Sequence, residues 1–169
     1  LPFRDASFDR ISCNGSGHHF LDMAAAMREA FRVLRPGGRL VMYEPIATPL
    51  ANAVRGSLLR ESHYESPADL AHKHEFSRRS VEIALAEAGF GDVSSRFHDF
   101  LAYPLTGMYI ELPWSRSRSL MAGLATIERG LERIAPLRPL FDLMAWRLLV
   151  VAVRPREIAA SVDRARPPA

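Results

Sequence analysis

The chain has 169 residues with a formal net charge of +3; 48% of them are hydrophobic and 24% are charged. This length and composition fit one globular domain with a sizeable core, and they exclude a disordered or fibrous chain. The cations are spread along the sequence instead of forming a basic stripe, so no nucleic-acid partner is expected.

The cysteine content and the apolar stretches exclude two further classes of protein. A single cysteine, Cys13, excludes an internal disulfide and fits a protein of the reducing cytoplasm. The most hydrophobic stretch, residues 137–153, contains three charged residues and a proline. It cannot supply the roughly 20 uninterrupted apolar residues of a membrane span.

The first predicted elements form a strand–helix–strand unit. Residues 8–14 predict a short strand that stops at a Gly-Ser-Gly sequence. Asp22 can cap a helix over residues 23–34, because its carboxylate can accept from the free amides of the first turn. Pro36 and the two glycines after it end that helix in a sharp turn. Residues 40–43 are apolar on both sides, as in an inner parallel strand, so the unit is a right-handed crossover.

The rest of the chain predicts further helices and two more strands. Helical patterns cover residues 50–60, 78–88 and 119–134, and another helix starts near Ser66. Residues 92–103 are rich in Val, Phe and Tyr and predict a strand. The apolar run within residues 146–153 predicts a last strand that is buried on both faces. Four strands and five helices in alternation indicate an open α/β layer.

The most distinctive motif is His-His-Phe-Leu-Asp at residues 18–22. It follows Leu-Pro-Phe at residues 1–3 and Ser-Phe-Asp at residues 7–9, and it precedes Arg-Glu-Ala-Phe-Arg-Val-Leu-Arg-Pro-Gly-Gly-Arg-Leu at residues 28–40. Together these motifs resemble the second half of class I (Rossmann-like) S-adenosylmethionine-dependent methyltransferases of the small-molecule, type 11 kind. The resemblance is specific to about residue 45 and continues to residue 155 only as a pattern of elements.

The resemblance implies a fold and a division of the chain. Residues 1–155 would form the C-terminal portion of a methyltransferase domain, with an open, partly parallel sheet of about four strands and flanking helices. The last two strands would be antiparallel, residues 104–145 would be a helical insertion over the substrate pocket, and residues 156–169 would be a flexible tail. In the family another strand pairs with the outer side of strand 8–14, so we expect an open, apolar edge and self-association through it.

The loop after the first strand carries the implied site for S-adenosyl-L-methionine, because ligands gather at the carboxyl ends of strands in open α/β sheets. By the resemblance, the cofactor-binding residues are Asn14, Gly15, Ser16, His19 and Phe20. Gly17 departs from the family, which usually has Leu before the paired histidines, so we expect one wall of the pocket to be lost. The family's glycine-rich turn and acidic ribose-binding residue are not in this sequence, and we expect the fragment to be inactive alone.

Further polar and aromatic residues are candidates for catalysis and acceptor binding. His18 or His19 could act as a general base, or could simply pack at the loop, since methyl transfer often needs only positioning. Glu44 ends a buried strand, where it could orient substrate or pair with an arginine. Three aromatic residues are candidates either for the core or for the lining of an acceptor pocket: Tyr103, Tyr109 and Trp114.

Other functions have less support in the sequence than methyl transfer to a small, hydrophobic acceptor. A metal site at His63, His72, His74 and Glu75 is weakly supported, because the spacing lacks Cys or a HExxH-like helix, and no metal is expected. A nucleotide-linked oxidoreductase would need a Tyr-x-x-x-Lys pair, which the single Lys73 does not provide. The alternative is a degenerate Rossmann-like binding or regulatory module without catalysis, which Gly17 favours.

Overall fold

A computed structural model describes residues 1–46, 48–50, 53, 76–105, 114 and 116–156. The strands in this part of the chain are β1 Phe8–Asn14, β2 Leu34–Pro45, β3 Gly91–His98 and β4 Arg147–Val153. The α-helices are α1 Met23–Val33, α2 Arg78–Glu87, α3 Arg118–Leu131 and α4 Arg138–Met144. Short 3₁₀ helices cover Gly17–His19, Tyr103–Leu105 and Ala135–Leu137.

The described strands form one sheet in the order β1-β2-β4-β3. β1 and β2 are parallel, as the predicted crossover requires, and β4 is antiparallel to both β2 and β3. The predicted antiparallel pairing of the last two strands is therefore confirmed. The register places Pro45 and His98 opposite Arg147, so the carboxyl ends of β1, β2 and β3 lie at one edge with the start of β4.

Helix α1 forms as its sequence predicts. The Asp22 carboxylate accepts a hydrogen bond of 2.8 Å from the amide of Ala25, which satisfies one of the free donors of the first turn. Met27 and Ala30 are buried in a core that they share with Leu34 of β2 and side chains of α2 and β4, and Val33 at the end of the helix is also buried. Burial of this face positions the loop that precedes the helix.

Strand β2 is longer than the predicted residues 40–43. It begins directly after α1 and includes the Pro-Gly-Gly sequence, which forms an irregularity in the pairing with β1: Phe8 lies opposite Leu34 but Arg10 lies opposite Arg39. Gly37 adopts φ +82°, the left-handed conformation expected of a glycine turn. Its amide donates to the carbonyl of Arg154 at 2.8 Å, so the turn stays joined to the sheet.

Strand β3 is shorter than the predicted residues 92–103. Asp99 adopts φ +60°, which turns the chain directly after His98. The amides of Leu101 and Ala102 then donate to the Glu128 carboxylate at 2.9 and 3.0 Å instead of to a neighbouring strand. The backbone donors that a longer strand would have paired are thus satisfied by a side chain of α3.

Helix α3 confirms the predicted helix, although it ends at Leu131 and not at residue 134. Its apolar side chains include Leu120 and Ile127, and both are exposed, Ile127 at 56%. Glu128 is the buried residue of this helix.

Some sequence predictions lie outside the described residues. These are most of the helix at residues 50–60, the helix start at Ser66, the metal hypothesis at His63, His72, His74 and Glu75, the aromatic residue Tyr109 and the tail after residue 156. In the part of the chain that is described, no helix has the length and apolar composition needed to cross a bilayer. β1 is an outer strand of the described sheet, and self-association through it stays a prediction.

Candidate functional site

The loop after β1 turns sharply at the carboxyl edge of the sheet. Gly15 adopts φ +63°, and its amide donates to the carbonyl of Tyr43 in β2 at 3.0 Å. The following residues form one 3₁₀ turn, in which the amides of His19 and Phe20 donate to the carbonyls of Ser16 and Gly17. The predicted cofactor residues of this loop therefore lie together above the ends of two parallel strands.

A fully buried carboxylate lies under this loop. Glu44 is 0% exposed, and its oxygens accept hydrogen bonds from three described side chains or amides. Nδ1 of His18 lies 2.9 Å away, Sγ of Cys13 lies 3.1 Å away and the amide of Ser16 lies 3.2 Å away. The sequence had left open substrate or an arginine as the partner of Glu44, and the structure pairs it with His18.

The protonation states of this cluster follow from burial and hydrogen bonding. Burial alone would raise the pKa of Glu44, but donors from His18, the Gly17 and Ser16 amides and Cys13 outweigh it and lower the pKa to about 2. Burial, together with the neighbouring carboxylate, raises the pKa of the Cys13 thiol to about 11. Glu44 is therefore ionised and Cys13 keeps its proton at neutral pH. An ionised carboxylate only accepts hydrogen bonds, so Nδ1 of His18 carries the hydrogen that is directed at Glu44. The other ring nitrogen, Nε2, takes no part in this hydrogen bond.

Gly17 lets the loop approach the buried carboxylate closely. A Cβ atom at this position would lie 2.7 Å from Cε of Met42 and 3.2 Å from the carboxyl group of Glu44. A larger residue would have to displace these side chains. The absence of a side chain at Gly17, which the sequence associates with a lost pocket wall, lets the backbone amides of Ser16 and Gly17 approach Glu44.

Arg147 is a site residue that sequence reasoning missed. Its Nη2 donates to Oδ1 of Asn14 at 2.9 Å and to the carbonyl of Tyr43 at 3.3 Å. Its guanidinium lies over the rings of Tyr43 and Tyr103, 4.2 and 4.9 Å from their centroids. The one available signal was a cation at the start of an otherwise apolar strand. Arg147 thus joins the predicted cofactor loop to the predicted acceptor residue Tyr103.

The remaining predicted site residues are placed less centrally. The ring of His19 lies 4.0 Å from that of His18, and Phe20 is exposed at the outer side of the loop. Trp114 is also exposed, and Tyr109 lies outside the described residues. No three His, Cys, Asp or Glu side chains among the described residues gather as a metal site would require.

The sequence matches a protein-family model and several curated proteins over part of its length. Residues 1–42 match the family model described as a methyltransferase domain. Demethylmenaquinone methyltransferase of Deinococcus radiodurans is 46% identical over 56 residues, 32% of this chain and 23% of that protein. The 27-O-demethylrifamycin SV methyltransferase of Amycolatopsis mediterranei is 47% identical over 49 residues, 29% of this chain and 18% of that protein. The chain spans about a fifth of the length of the curated relatives it matches.

Solved structures extend the likeness to most of the chain at the level of fold. A S-adenosylmethionine-dependent methyltransferase from Archaeoglobus fulgidus aligns with a TM-score of 0.51 and 16% sequence identity. The alignment covers 88% of this chain and 60% of that chain. The expected Rossmann-like α/β fold, with its open and partly parallel sheet, is confirmed.

Proposed function

We propose that the protein containing this chain is a class I, S-adenosylmethionine-dependent methyltransferase that methylates a small, hydrophobic acceptor. The observation that carries this proposal is the loop from Asn14 to Phe20. It lies at the carboxyl edge of two parallel strands, where open α/β sheets bind ligands, and it is held there by a buried carboxylate.

The loop residues fit the cofactor that the family uses. S-adenosyl-L-methionine, when bound, supplies a methyl group on a positively charged sulfur. Gly15 presents backbone without a side chain, so Asn14, Gly15 and Ser16 would hold the cofactor largely through main-chain groups. His19 and Phe20 would contribute aromatic rings to the cofactor site, and aromatic faces attract cations such as a sulfonium.

His18 is the candidate proton acceptor, and Glu44 is its positioning residue. The carboxylate fixes the imidazole through Nδ1 at 2.9 Å, which leaves Nε2 to take a proton from an acceptor hydroxyl or amine. Glu44 is fully buried, so it acts through His18 instead of contacting the acceptor itself.

The names of the relatives support a small, hydrophobic acceptor. One relative acts on demethylmenaquinone and another on 27-O-demethylrifamycin SV, and both are ring-containing organic molecules. Tyr103 would lie on the acceptor side of the site, because Arg147 connects it to Asn14. Trp114 and Tyr109 complete the aromatic residues that we assign to the acceptor region.

Titration of S-adenosylhomocysteine into the complete gene product tests the cofactor assignment. We expect micromolar binding and about tenfold weaker binding by Phe20→Ala, because an aromatic contact with the cofactor is lost. Leu21→Ala is the matched control, since Leu21 is the adjacent apolar side chain and is 80% exposed. Absence of binding by the parent protein would contradict the proposed function, and equal weakening by both variants would contradict the role of Phe20. For residues 1–169 alone we expect no binding below millimolar, since the family's glycine-rich turn is not among them.

Methyl transfer from a labelled cofactor to hydroxylated quinones and naphthols tests the base. We expect His18→Gln to lower kcat by about 10²- to 10⁴-fold with the KM for the cofactor unchanged. Glu44→Gln should lower kcat by a smaller factor. This variant keeps the imidazole of His18 and only replaces the carboxylate that orients it with a neutral amide. Unchanged kcat in both variants would show that the enzyme positions the acceptor without a base.

A further inference from the structure

A second concave site lies at the other end of the same sheet edge, around the outer strand β3. It is a cavity of about 470 Å³ bounded by residues of β3, α3 and α4, with Arg78 at the start of α2. A volume of this size suits a small organic ligand. None of the residues that the methyl-transfer proposal assigns to the cofactor, the base or the acceptor lines this cavity.

The cavity is strongly cationic. Its lining includes five arginines, which are Arg78, Arg96, Arg129, Arg133 and Arg138. The two carboxylates in the lining are those of Glu132 and Asp142, and Glu132 is bound to Nδ1 of His98 at 2.9 Å. Since the cations outnumber the carboxylates, the cavity attracts anions.

Three of these guanidinium groups have no partner among the described residues. Arg78 pairs with Glu82 at 2.8 Å, and Arg129 donates to Thr126 at 3.0 Å. Arg96, Arg133 and Arg138 make no described hydrogen bond or ion pair through their side chains. Their donors are therefore available to a ligand, and a guanidinium can bind carboxylate or phosphate oxygens in a two-point contact.

The same cavity has an aromatic wall. The rings of Phe100 and Phe141 are stacked, with centroids 4.2 Å apart and planes 7° from parallel. Both residues line the cavity, so they offer a ligand ring an apolar contact surface.

We propose that this cavity binds an aromatic organic anion, with its carboxylate or phosphate on Arg96, Arg133 and Arg138 and its ring against Phe100 and Phe141. The site is separate from the cofactor loop. Three interstrand spacings separate β1 from β3, which places Asn14 and His98 about 14 Å apart along the sheet edge. The anion site is therefore distinct from the cofactor loop.

Titration with 2-naphthoate, 2-naphthyl phosphate and the neutral 2-naphthylmethanol tests this site. We expect both anions to bind at least about tenfold more tightly than the alcohol, because charged hydrogen bonds add to the ring contact. The ratio of the dissociation constants of the two anions shows whether the site prefers a carboxylate or a phosphate. Equal affinity of the alcohol would overturn the proposal, and so would competition by S-adenosylhomocysteine, which would assign the ligand to the cofactor loop.

Charge-neutralising variants test whether the ligand binds in this cavity. Arg133→Gln combined with Arg138→Gln should weaken binding of the anions about tenfold or more and leave the weak binding of the alcohol unchanged. Arg10→Gln combined with Arg28→Gln is the matched control, since both residues are exposed and lie on β1 and α1, outside the cavity lining. All four residues are exposed, so circular dichroism should show an unchanged fold. Equal loss in both double variants would mean that only the net charge matters, and would overturn the site.

Discussion

The β1–α1–β2 unit and the β3–α3–α4 region each contain a buried carboxylate, but the two carboxylates have different surroundings. Glu44 is 0% exposed and binds a histidine, a cysteine and a loop amide. Glu128 is 4% exposed, and its carboxylate's hydrogen-bond partners within the described residues are the backbone amides of Leu101 and Ala102. The first arrangement orients a titratable ring at the sheet edge, whereas the second ends a strand. A buried charge therefore does not by itself indicate a catalytic role. The residues that bind it distinguish a catalytic role from a structural one.

Removal of the first carboxylate should have the largest effect on stability. We expect Glu44→Ala to lower the free energy of unfolding by about 3–5 kcal/mol, because the buried imidazole of His18 loses its acceptor and the half-buried Cys13 thiol loses one of its partners. Urea unfolding measures this loss. Glu87→Gln is the control, since that carboxylate is exposed on α2 and should change stability by less than about 0.5 kcal/mol. A loss in Glu44→Ala as small as in the control would show that the cluster is not held together by Glu44.

The second-largest expected effect concerns the contribution of Glu44 to the pH dependence of stability. Its pKa lies near 2 in the folded chain and near 4.5 as an ordinary carboxyl, so its stabilisation is complete above pH 4.5 and is lost as the pH falls towards 2. The advantage in unfolding free energy of the parent protein over Glu44→Gln should shrink by about 3 kcal/mol across this window. Measuring the difference between the two proteins cancels the other carboxylates. A constant difference over the window would refute the lowered pKa.

Glu128→Ala should have an intermediate effect. We expect a loss of about 2 kcal/mol in unfolding free energy, because two amides lose a charged acceptor at the turn after β3. Affinity for S-adenosylhomocysteine should stay unchanged, since Glu128 makes no described contact with the loop after β1. A fall in the affinity of Glu128→Ala for S-adenosylhomocysteine would show that Glu128 also supports the cofactor site, and would contradict the difference between the two carboxylates.

The helix cap should give the smallest effect. Asp22→Ala removes the acceptor for the Ala25 amide and should cost about 1 kcal/mol in unfolding free energy. Asp22→Asn keeps an acceptor oxygen and should stay close to the parent protein. Equal losses in the two variants would indicate that the charge of Asp22, and not its hydrogen bond, stabilises α1.

Local signals explain why the first region was predicted well. The bounds of β1 match the prediction, and Asp22 caps α1 as expected, because caps and strand ends depend on neighbouring residues. The partners of Glu44 and Asn14 could not be predicted in this way. His18 is 26 residues from Glu44 in the sequence, and Arg147 is 133 residues from Asn14, so both contacts depend on the completed sheet. The end of β3 was also missed, because the Glu128 acceptor comes from a later helix.

The position of β4 has a consequence for synthesis of the protein. β4 comes last along the chain but lies between β2 and β3, and Arg147 reaches back 104 residues to the carbonyl of Tyr43. On the ribosome, β1, α1 and β2 can associate as soon as they emerge, whereas β3 waits for a neighbour that has not yet been translated. A nascent chain arrested before residue 147 should therefore protect β1 and β2 from proteases and leave β3 open to cleavage.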